Sequence, residues 1–263
     1  MNDTPHSPQA LEVDVLVIGF GKGGKAAAAT LGRLGRRVVL VEASEHMYGG
    51  TCANVGWPYK GLVHHSGKRR EDDDPQEFYE RAIAEVQDVR ELMRTSQPHI
   101  FALGDVNGGP QFTYISLDDS RIVLDQLIGS GKRATTDRVA VPNTVFLTPP
   151  LATVGMTENQ ARAAGHRIKV AREAVADILA MPRAYAVQET RGLMKFVIDA
   201  DTDLILGAAL LSVDAQETIN TVALAMRHNV TASELRDAIY AHPSSTEAFN
   251  EVATVVVHED PHG

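Results

Sequence analysis

The stretch "VDVLVIGFGKGGKAAAATLGRLGRRVVLVE", residues 13–42, decides the fold that we predict for the first part of the chain. Residues 13–18 form an apolar run with the length of a buried strand, and residues 37–41 form a second one. Between them, residues 25–34 are rich in alanine and leucine and predict a helix. This order of strand, turn, helix and strand predicts a Rossmann-type α/β unit.

The turn of this unit carries the pattern G-x-G-x-x-G, with Gly19, Gly21 and Gly24 at its fixed positions. The first glycine permits a tight turn, the second lets a pyrophosphate approach the backbone, and the third lets the helix pack on the strand. Glu42 ends the second strand, where a carboxylate can accept a hydrogen bond from a ribose hydroxyl. The pattern therefore predicts a dinucleotide site, and by itself it does not separate FAD from NAD.

Composition excludes several classes of partner. The 263 residues carry a formal net charge of −9, from 34 acidic and 25 basic side chains, which disfavours nucleic acid. No apolar run approaches the roughly 20 residues that a membrane span requires. Residues 1–12 are polar, with two prolines, and lack the basic start and apolar core of a signal peptide. We therefore expect a disordered leader over residues 1–12 and a cytoplasmic protein without a membrane partner.

Cysteine and histidine usage gives no sign of a metal site. Cys52 is the only cysteine, which excludes an intrachain disulfide and a cysteine zinc site. The ten histidines are scattered, and the adjacent pair His64 and His65 would diverge on any regular element. We predict no bound metal.

The middle of the chain predicts further elements of the first domain. Residues 75–93 have apolar side chains spaced by three and four, as in an amphipathic helix. The string "HIFALGDV", residues 99–106, predicts a short buried strand, and "LDDSRIVLDQLIG", residues 117–129, predicts a helix.

The pattern of predicted strands and helices changes from about residue 141. "GLMKFVIDADTDLILGAALLS", residues 192–212, predicts two strands joined in a hairpin, and residues 215–228 predict a helix. Capping boxes are predicted at residues 157–160, 231–234 and 244–247. Segregated strands and helices of this kind favour an α+β domain with an antiparallel sheet.

Three strings resemble one family when taken in this order: "MYGGTCANVG" from residue 47, "PHIFALGDVNGGPQFTYISLDD" from residue 98, and "AHPSSTEAFNE" from residue 241. Together they resemble the pyridine nucleotide-disulfide oxidoreductases, and within that family the reactive-chlorine-resistance flavoproteins related to mercuric reductase. The resemblance covers almost all of residues 13–252. It implies an FAD cofactor, a small-molecule redox substrate, and a homodimer formed through the C-terminal domain.

The resemblance also implies roles for particular residues. Asp105 would accept from the ribityl chain of the flavin. His242 and Glu247 would be the acid–base pair supplied to the flavin site of the partner subunit, and Cys52 would lie beside the flavin near Lys60. The implied FAD-binding residues are Gly19, Gly21, Gly24, Glu42, Gly50, Thr51, Gly104 and Asp105.

Two departures from the family are visible. The redox loop of the family reads C-x-x-x-x-C-x-x-P-[ST]-K, whereas this chain reads "CANVGWPYK" from Cys52, with Trp57 where the second cysteine should stand. No second G-x-G-x-x-G occurs, since "LIGSGKRA", residues 127–134, lacks the third glycine. We therefore expect a shortened FAD-binding domain over residues 13–135, a dimerisation domain over residues 136–263, and no NAD(P)H domain.

Alternatives remain open for the site residues and for the function. Cys52 is either a small buried apolar side chain or a reactive thiolate beside Lys60. His242 is compatible with an ordinary loop, and Glu247 with a cap on the helix that follows Ser244. The chain is accordingly either a flavin-dependent oxidoreductase or a non-catalytic module, which would be a homodimerising scaffold or a partner of full-length relatives.

Overall fold

The computed structural model describes residues 12–42, 44, 92–94, 99–253 and 256–259. The chain divides into two compact units, Met1–Asp137 and Arg138–Gly263. Most of the predicted leader over residues 1–12, most of the predicted helix over residues 75–93, and the loop around Cys52 lie outside the described residues.

The first unit contains the strand–helix–strand arrangement predicted from its glycine pattern. Strand β1, Val15–Ile18, leads into helix α1, Lys22–Arg33, and then into strand β2, Val38–Val41. The two strands are parallel, with Val15 opposite Val38. A 3-10 helix, Asp105–Asn107, precedes helix α2, Thr113–Ile128, which packs against α1.

Two expectations for the first unit are corrected. The sequence predicts a buried strand β1, but Leu16 is 55% and Ile18 81% exposed, because α1 packs on the opposite face, at Val17. No strand forms over residues 99–106, where Phe101 makes only an isolated bridge to Arg94. The chain leaves the extended conformation at Gly104, whose φ of +79° begins the 3-10 helix.

The second unit is built on a six-stranded antiparallel sheet. Its strands are β3 Asn143–Val145, β4 Leu151–Gly155, β5 Ile168–Ala174, β6 Leu193–Asp199, β7 Ile205–Leu211 and β8 Val256–Glu259. Their order in the sheet is β3-β4-β7-β6-β5-β8. The predicted hairpin is confirmed as β6 and β7, with Phe196 opposite Ala208.

The helices of this unit begin where the sequence predicts their caps, in two of three cases. Thr157 and Thr231 each accept a hydrogen bond from the backbone three residues later and complete a capping box. The helices are α3 Glu158–Ala163, α4 Pro182–Ala186, α5 Ala215–Arg227, α6 Ala232–Asp237 and α7 Phe249–Val252. An α/β unit followed by an α+β unit with an antiparallel sheet confirms the predicted fold class.

An aromatic cluster lies in the core of the second unit. Phe249 is fully buried and packs edge-on against Phe196, with ring centroids 5.4 Å apart, and against Tyr240, at 6.1 Å. The Tyr240 hydroxyl donates to the Leu235 carbonyl. Burial raises the pKa of Tyr240 to about 12. This cluster anchors the segment that leads to His242.

Among the described residues, no helix has the length and apolar character needed to cross a membrane.

Candidate functional site

The glycines of the first loop differ in what surrounds them. Gly19 follows β1 with a φ of +95°, which side chains rarely adopt. A Cβ on Gly24 would lie 2.7 Å from the Gly19 carbonyl and 3.1 Å from Val17, so this position must be small for α1 to pack on β1. A Cβ on Gly21, just before α1, would meet no atom of the described residues within 4 Å. Among these residues, Gly21 therefore leaves space at the N-terminus of the helix, as a pyrophosphate site requires.

Glu42 lies directly beside this loop. Its Oε2 accepts from the Phe20 N–H at 2.9 Å, and its Oε1 accepts from the Ser44 N–H at 3.3 Å. The sequence did not predict the contact with Phe20, which fixes the carboxylate against the glycine turn. Carboxylate oxygens can accept more than one hydrogen bond, so the contact is compatible with a ribose hydroxyl as a further donor.

Ser116 joins the glycine loop to the segment that carries Asp105. The Gly23 N–H donates to Ser116 Oγ at 3.1 Å, and a Cβ on Gly23 would lie 2.7 Å from the Ser116 carbonyl. On its other side, Ser116 Oγ would lie 2.9 Å from a Cβ on Gly104. The structure thus brings two predicted cofactor segments together. The sequence analysis did not identify Ser116. The only feature of the sequence that points to this contact is a further glycine in the loop, Gly23.

Asp105 projects from a turn that is held from within. It begins the 3-10 helix and is exposed, while Asp119 in α2 is 1% exposed. The Oδ2 atom of Asp119 accepts from the Gly104 N–H at 2.8 Å and from Asn107 Nδ2 at 3.0 Å. Both ends of the turn are therefore fixed, and Asp105 is free to face a ligand.

His242 and Glu247 are in contact, as the resemblance implies. His242 Nδ1 lies 2.9 Å from Glu247 Oε1, and Glu247 Oε2 accepts from the Ser244 N–H at 2.7 Å. The Ser244 hydrogen bond, followed by the one to His242, lowers the pKa of Glu247 below its usual value. The carboxylate is thus ionised near neutral pH and requires a proton on His242 Nδ1.

The predicted capping box at Ser244 is only half formed. Glu247 accepts from the Ser244 N–H, but Ser244 Oγ makes no hydrogen bond with any described residue. The following 3-10 helix begins at Thr246. The other Glu247 oxygen binds His242, so this glutamate links the helix start to the imidazole.

Asp214 binds the same loop through a hydrogen bond with Ser245. Its Oδ2 accepts from Ser245 Oγ at 2.9 Å and from Arg183 Nε at 3.2 Å. Asp214 has a φ of +59° and directly precedes α5. Sequence analysis missed this contact, whose only signal is an aspartate before a predicted helix.

Four predicted site residues have no structural description. Gly50, Thr51, Cys52 and Lys60 lie outside the described residues. Within the described ranges, no three His, Cys, Asp or Glu side chains form a group that could hold a metal ion.

Comparison with protein families defines the class. Residues 14–107 match the model of FAD dependent oxidoreductases, and residues 141–253 match the dimerisation domain of pyridine nucleotide-disulphide oxidoreductases. The chain belongs to the pyridine nucleotide-disulfide oxidoreductase family, which is FAD-dependent. The family and cofactor implied by the resemblance are thereby confirmed.

Two proteins of this class are similar to the chain over part of their length. The chain is 50% identical over 168 residues to the probable pyridine nucleotide-disulfide oxidoreductase RclA of Escherichia coli, covering 64% of this chain and 37% of that protein. It is 35% identical over 165 residues to mercuric reductase of Staphylococcus aureus, covering 63% of this chain and 29% of that protein. The chain thus spans about a third of the length of these curated relatives.

A solved structure shares the fold. The Cu(II) complex of the HOCl-induced flavoprotein disulfide reductase RclA from Escherichia coli aligns with a TM-score of 0.80 and 27% sequence identity. The alignment covers 94% of this chain and 100% of that chain.

Proposed function

We propose that this chain binds FAD in its first unit and acts as a homodimeric, flavin-dependent oxidoreductase on a small-molecule redox substrate. The observation that carries the proposal is the glycine loop. Gly24 is packed against β1, whereas a Cβ on Gly21, at the start of α1, would have no neighbour within 4 Å in the part of the chain that the structure describes. A loop that served only to connect β1 and α1 would have no need for glycine at the open position.

The described residues fit FAD. Gly19, Gly21 and the N-terminus of α1 would hold the pyrophosphate, and Glu42 would accept from a ribose hydroxyl. Asp105 would accept from the ribityl chain. Gly50 and Thr51 belong to the proposed site on the resemblance alone. FAD, when bound, supplies the electron-transfer chemistry, and the protein supplies binding and orientation.

His242 and Glu247 would handle protons. Because Glu247 accepts at 2.9 Å from Nδ1, the other ring nitrogen of the exposed His242 is available to give or take a proton. In the homodimer that the family's dimerisation domain supports, this pair would serve the flavin of the partner subunit. Cys52, with Lys60 nearby, is the proposed thiol beside the flavin.

A second candidate is a non-catalytic homodimer. The single cysteine favours it, because a dithiol pair cannot form within one chain. The match to the dimerisation domain, over residues 141–253, is compatible with an interface that persists without turnover.

The test is the visible absorption spectrum of the purified chain, with the bound material released and identified. We expect a yellow protein with stoichiometric FAD. Gly21→Val should lose the flavin because its side chain would fill the open space that the pyrophosphate needs. Gly32→Val in α1 is the matched control, since a Cβ on Gly32 would also meet no described residue within 4 Å and Gly32 lies away from the loop.

The outcomes separate the candidates. A Gly21→Val variant that keeps FAD would contradict the placement of the cofactor. A colourless wild-type chain that takes up no added FAD and sediments as a dimer would contradict the oxidoreductase and support the non-catalytic homodimer.

A further inference from the structure

A buried carboxylate closes the turn from which Asp105 projects. Asp119 lies in α2 and is 1% exposed, and its Oδ2 atom accepts from the Gly104 N–H at 2.8 Å and from Asn107 Nδ2 at 3.0 Å. Gly104 and Asn107 stand on either side of Asp105 and Val106. One oxygen atom therefore holds both ends of the turn.

The remainder of the turn has little freedom to rearrange. Asn107 is 6% exposed, and its Oδ1 accepts from the Gly109 N–H at 2.8 Å. Gly104 has a φ of +79°, and a Cβ there would lie 2.9 Å from Ser116 Oγ. The outward-facing members are Asp105, which is exposed, and Val106, which is 76% exposed.

An aspartate at position 119 lowers the stability of helix α2. A buried carboxylate must be compensated by hydrogen bonds, and aspartate is a poor helix former. The other buried positions of α2 include Ile115, Ile122 and Val123, which are apolar. An apolar residue at 119 would suit this face, but it could not accept from Gly104 and Asn107.

We propose that Asp119 is a positioning residue for the cofactor site, and that it fixes the direction of the Asp105 carboxylate toward the hydroxyls of the FAD ribityl chain. This inference rests on the proposed function, because it assigns Asp105 to the flavin. Asp119 itself stays behind the turn and acts through Asp105.

The test is a double-mutant cycle on the dissociation constant of FAD, measured by flavin fluorescence with the full chain. Asp119→Ala should weaken FAD binding by about tenfold, equivalent to about 1.4 kcal/mol. In an Asp105→Ala background, the same substitution should have little further effect, because the group that it positions is gone. Asp119→Asn should be the milder variant, since its amide oxygen can accept both hydrogen bonds.

Val123→Ala is the matched control for lost stability. Val123 is buried in the same helix and touches the apolar cluster with Met93 and Ile122. This variant should lower the melting temperature and leave the FAD dissociation constant of the folded protein unchanged. Asn107→Ala releases one end of the turn and provides a second variant if Asp119→Ala does not fold. Its effect on FAD should likewise depend on Asp105.

Each outcome is decisive. Unchanged FAD affinity in the Asp119 and Asn107 variants, or equal losses with and without the Asp105 side chain, would overturn the positioning role while leaving the FAD site in place. Rapid hydrogen exchange at the Gly104 amide of the flavin-free wild-type chain would also overturn it. A wild-type chain that binds no FAD would overturn the proposed function and this inference together.

Discussion

Asp199, at the end of β6, shows how one buried side chain can couple stability to pH. Its burial raises the pKa, but hydrogen bonds from the Thr202 backbone, His166 and the Thr202 hydroxyl outweigh that effect and lower the pKa to about 2. His166 Nδ1 lies 2.8 Å from Asp199 Oδ2, and the Thr202 N–H donates to Oδ1 at 2.9 Å. The ionised carboxylate thus stabilises the turn between β6 and β7.

Replacing Asp199 should change the acid sensitivity of the fold. Because the folded pKa lies below the ordinary aspartate value of 3.8, the stabilisation is complete above about pH 4 and is lost as the pH falls toward about 2. The contribution is at most about 2 kcal/mol. Asp199→Asn should therefore lower the free energy of unfolding at neutral pH and flatten its decline in acid, as measured by urea unfolding at several pH values.

The neighbouring Asp201 provides the control for this experiment. Its side chain is 59% exposed and pairs with Arg167 at 2.7 Å. An exposed pair of this kind contributes little, so Asp201→Asn should retain the wild-type acid dependence. Equal acid dependence in wild type and Asp199→Asn would show that the carboxylate is not the group that titrates.

At the scale of elements, the short helix α6 depends on its cap. Thr231 Oγ1 accepts from the Glu234 N–H at 3.1 Å, and Glu234 accepts in return from the Thr231 N–H at 2.9 Å. Thr231→Ala should lower the free energy of unfolding by about 1 kcal/mol. The measurement is the midpoint of chemical denaturation. Thr231→Ser keeps the hydroxyl and should lose much less, and equal losses would argue against the cap.

The elements that the sequence predicts well are those specified by neighbouring residues. The hairpin of β6 and β7 is predicted by two runs of strand-forming residues and the polar turn between them. The capping boxes at Thr157 and Thr231 are each specified by only four residues. The strand predicted over residues 99–106 is wrong because the chain turns at Gly104, which is bound by Asp119 from the later helix α2. That hydrogen bond is tertiary, and no local pattern contains it.

At the scale of the whole molecule, the resemblance predicted the family, the cofactor class and the contact between His242 and Glu247. It did not predict the residues behind the sites, namely Ser116, Asp119 and Asp214. Each of these acts on a segment that is distant in sequence, so its role becomes visible only when both segments are placed. The roles of Cys52 and Lys60 stay predictions.

The cysteine content of the molecule predicts its performance in the reaction of its relatives. With Cys52 as the only thiol, one chain cannot form the dithiol pair that a disulfide relay needs. We expect little or no NAD(P)H-dependent reduction of disulfides or metal ions, measured by NAD(P)H oxidation with and without acceptor. Robust turnover would contradict this expectation. A Cys52→Ser variant then tests whether any residual rate uses the thiol.

The packing of Tyr240 on Phe249 gives the protein an optical signal of its own. A phenol whose pKa is raised to about 12 stays neutral in alkali that ionises ordinary tyrosines. Its contribution to stability is therefore complete below about pH 10 and is lost as the pH rises from about 10 to about 12. Because burial also raises the pKa of Tyr114, the near-ultraviolet phenolate absorbance should rise in stages, and Tyr240→Phe should remove the last of them. That late stage would report the opening of the segment next to His242 without any added label.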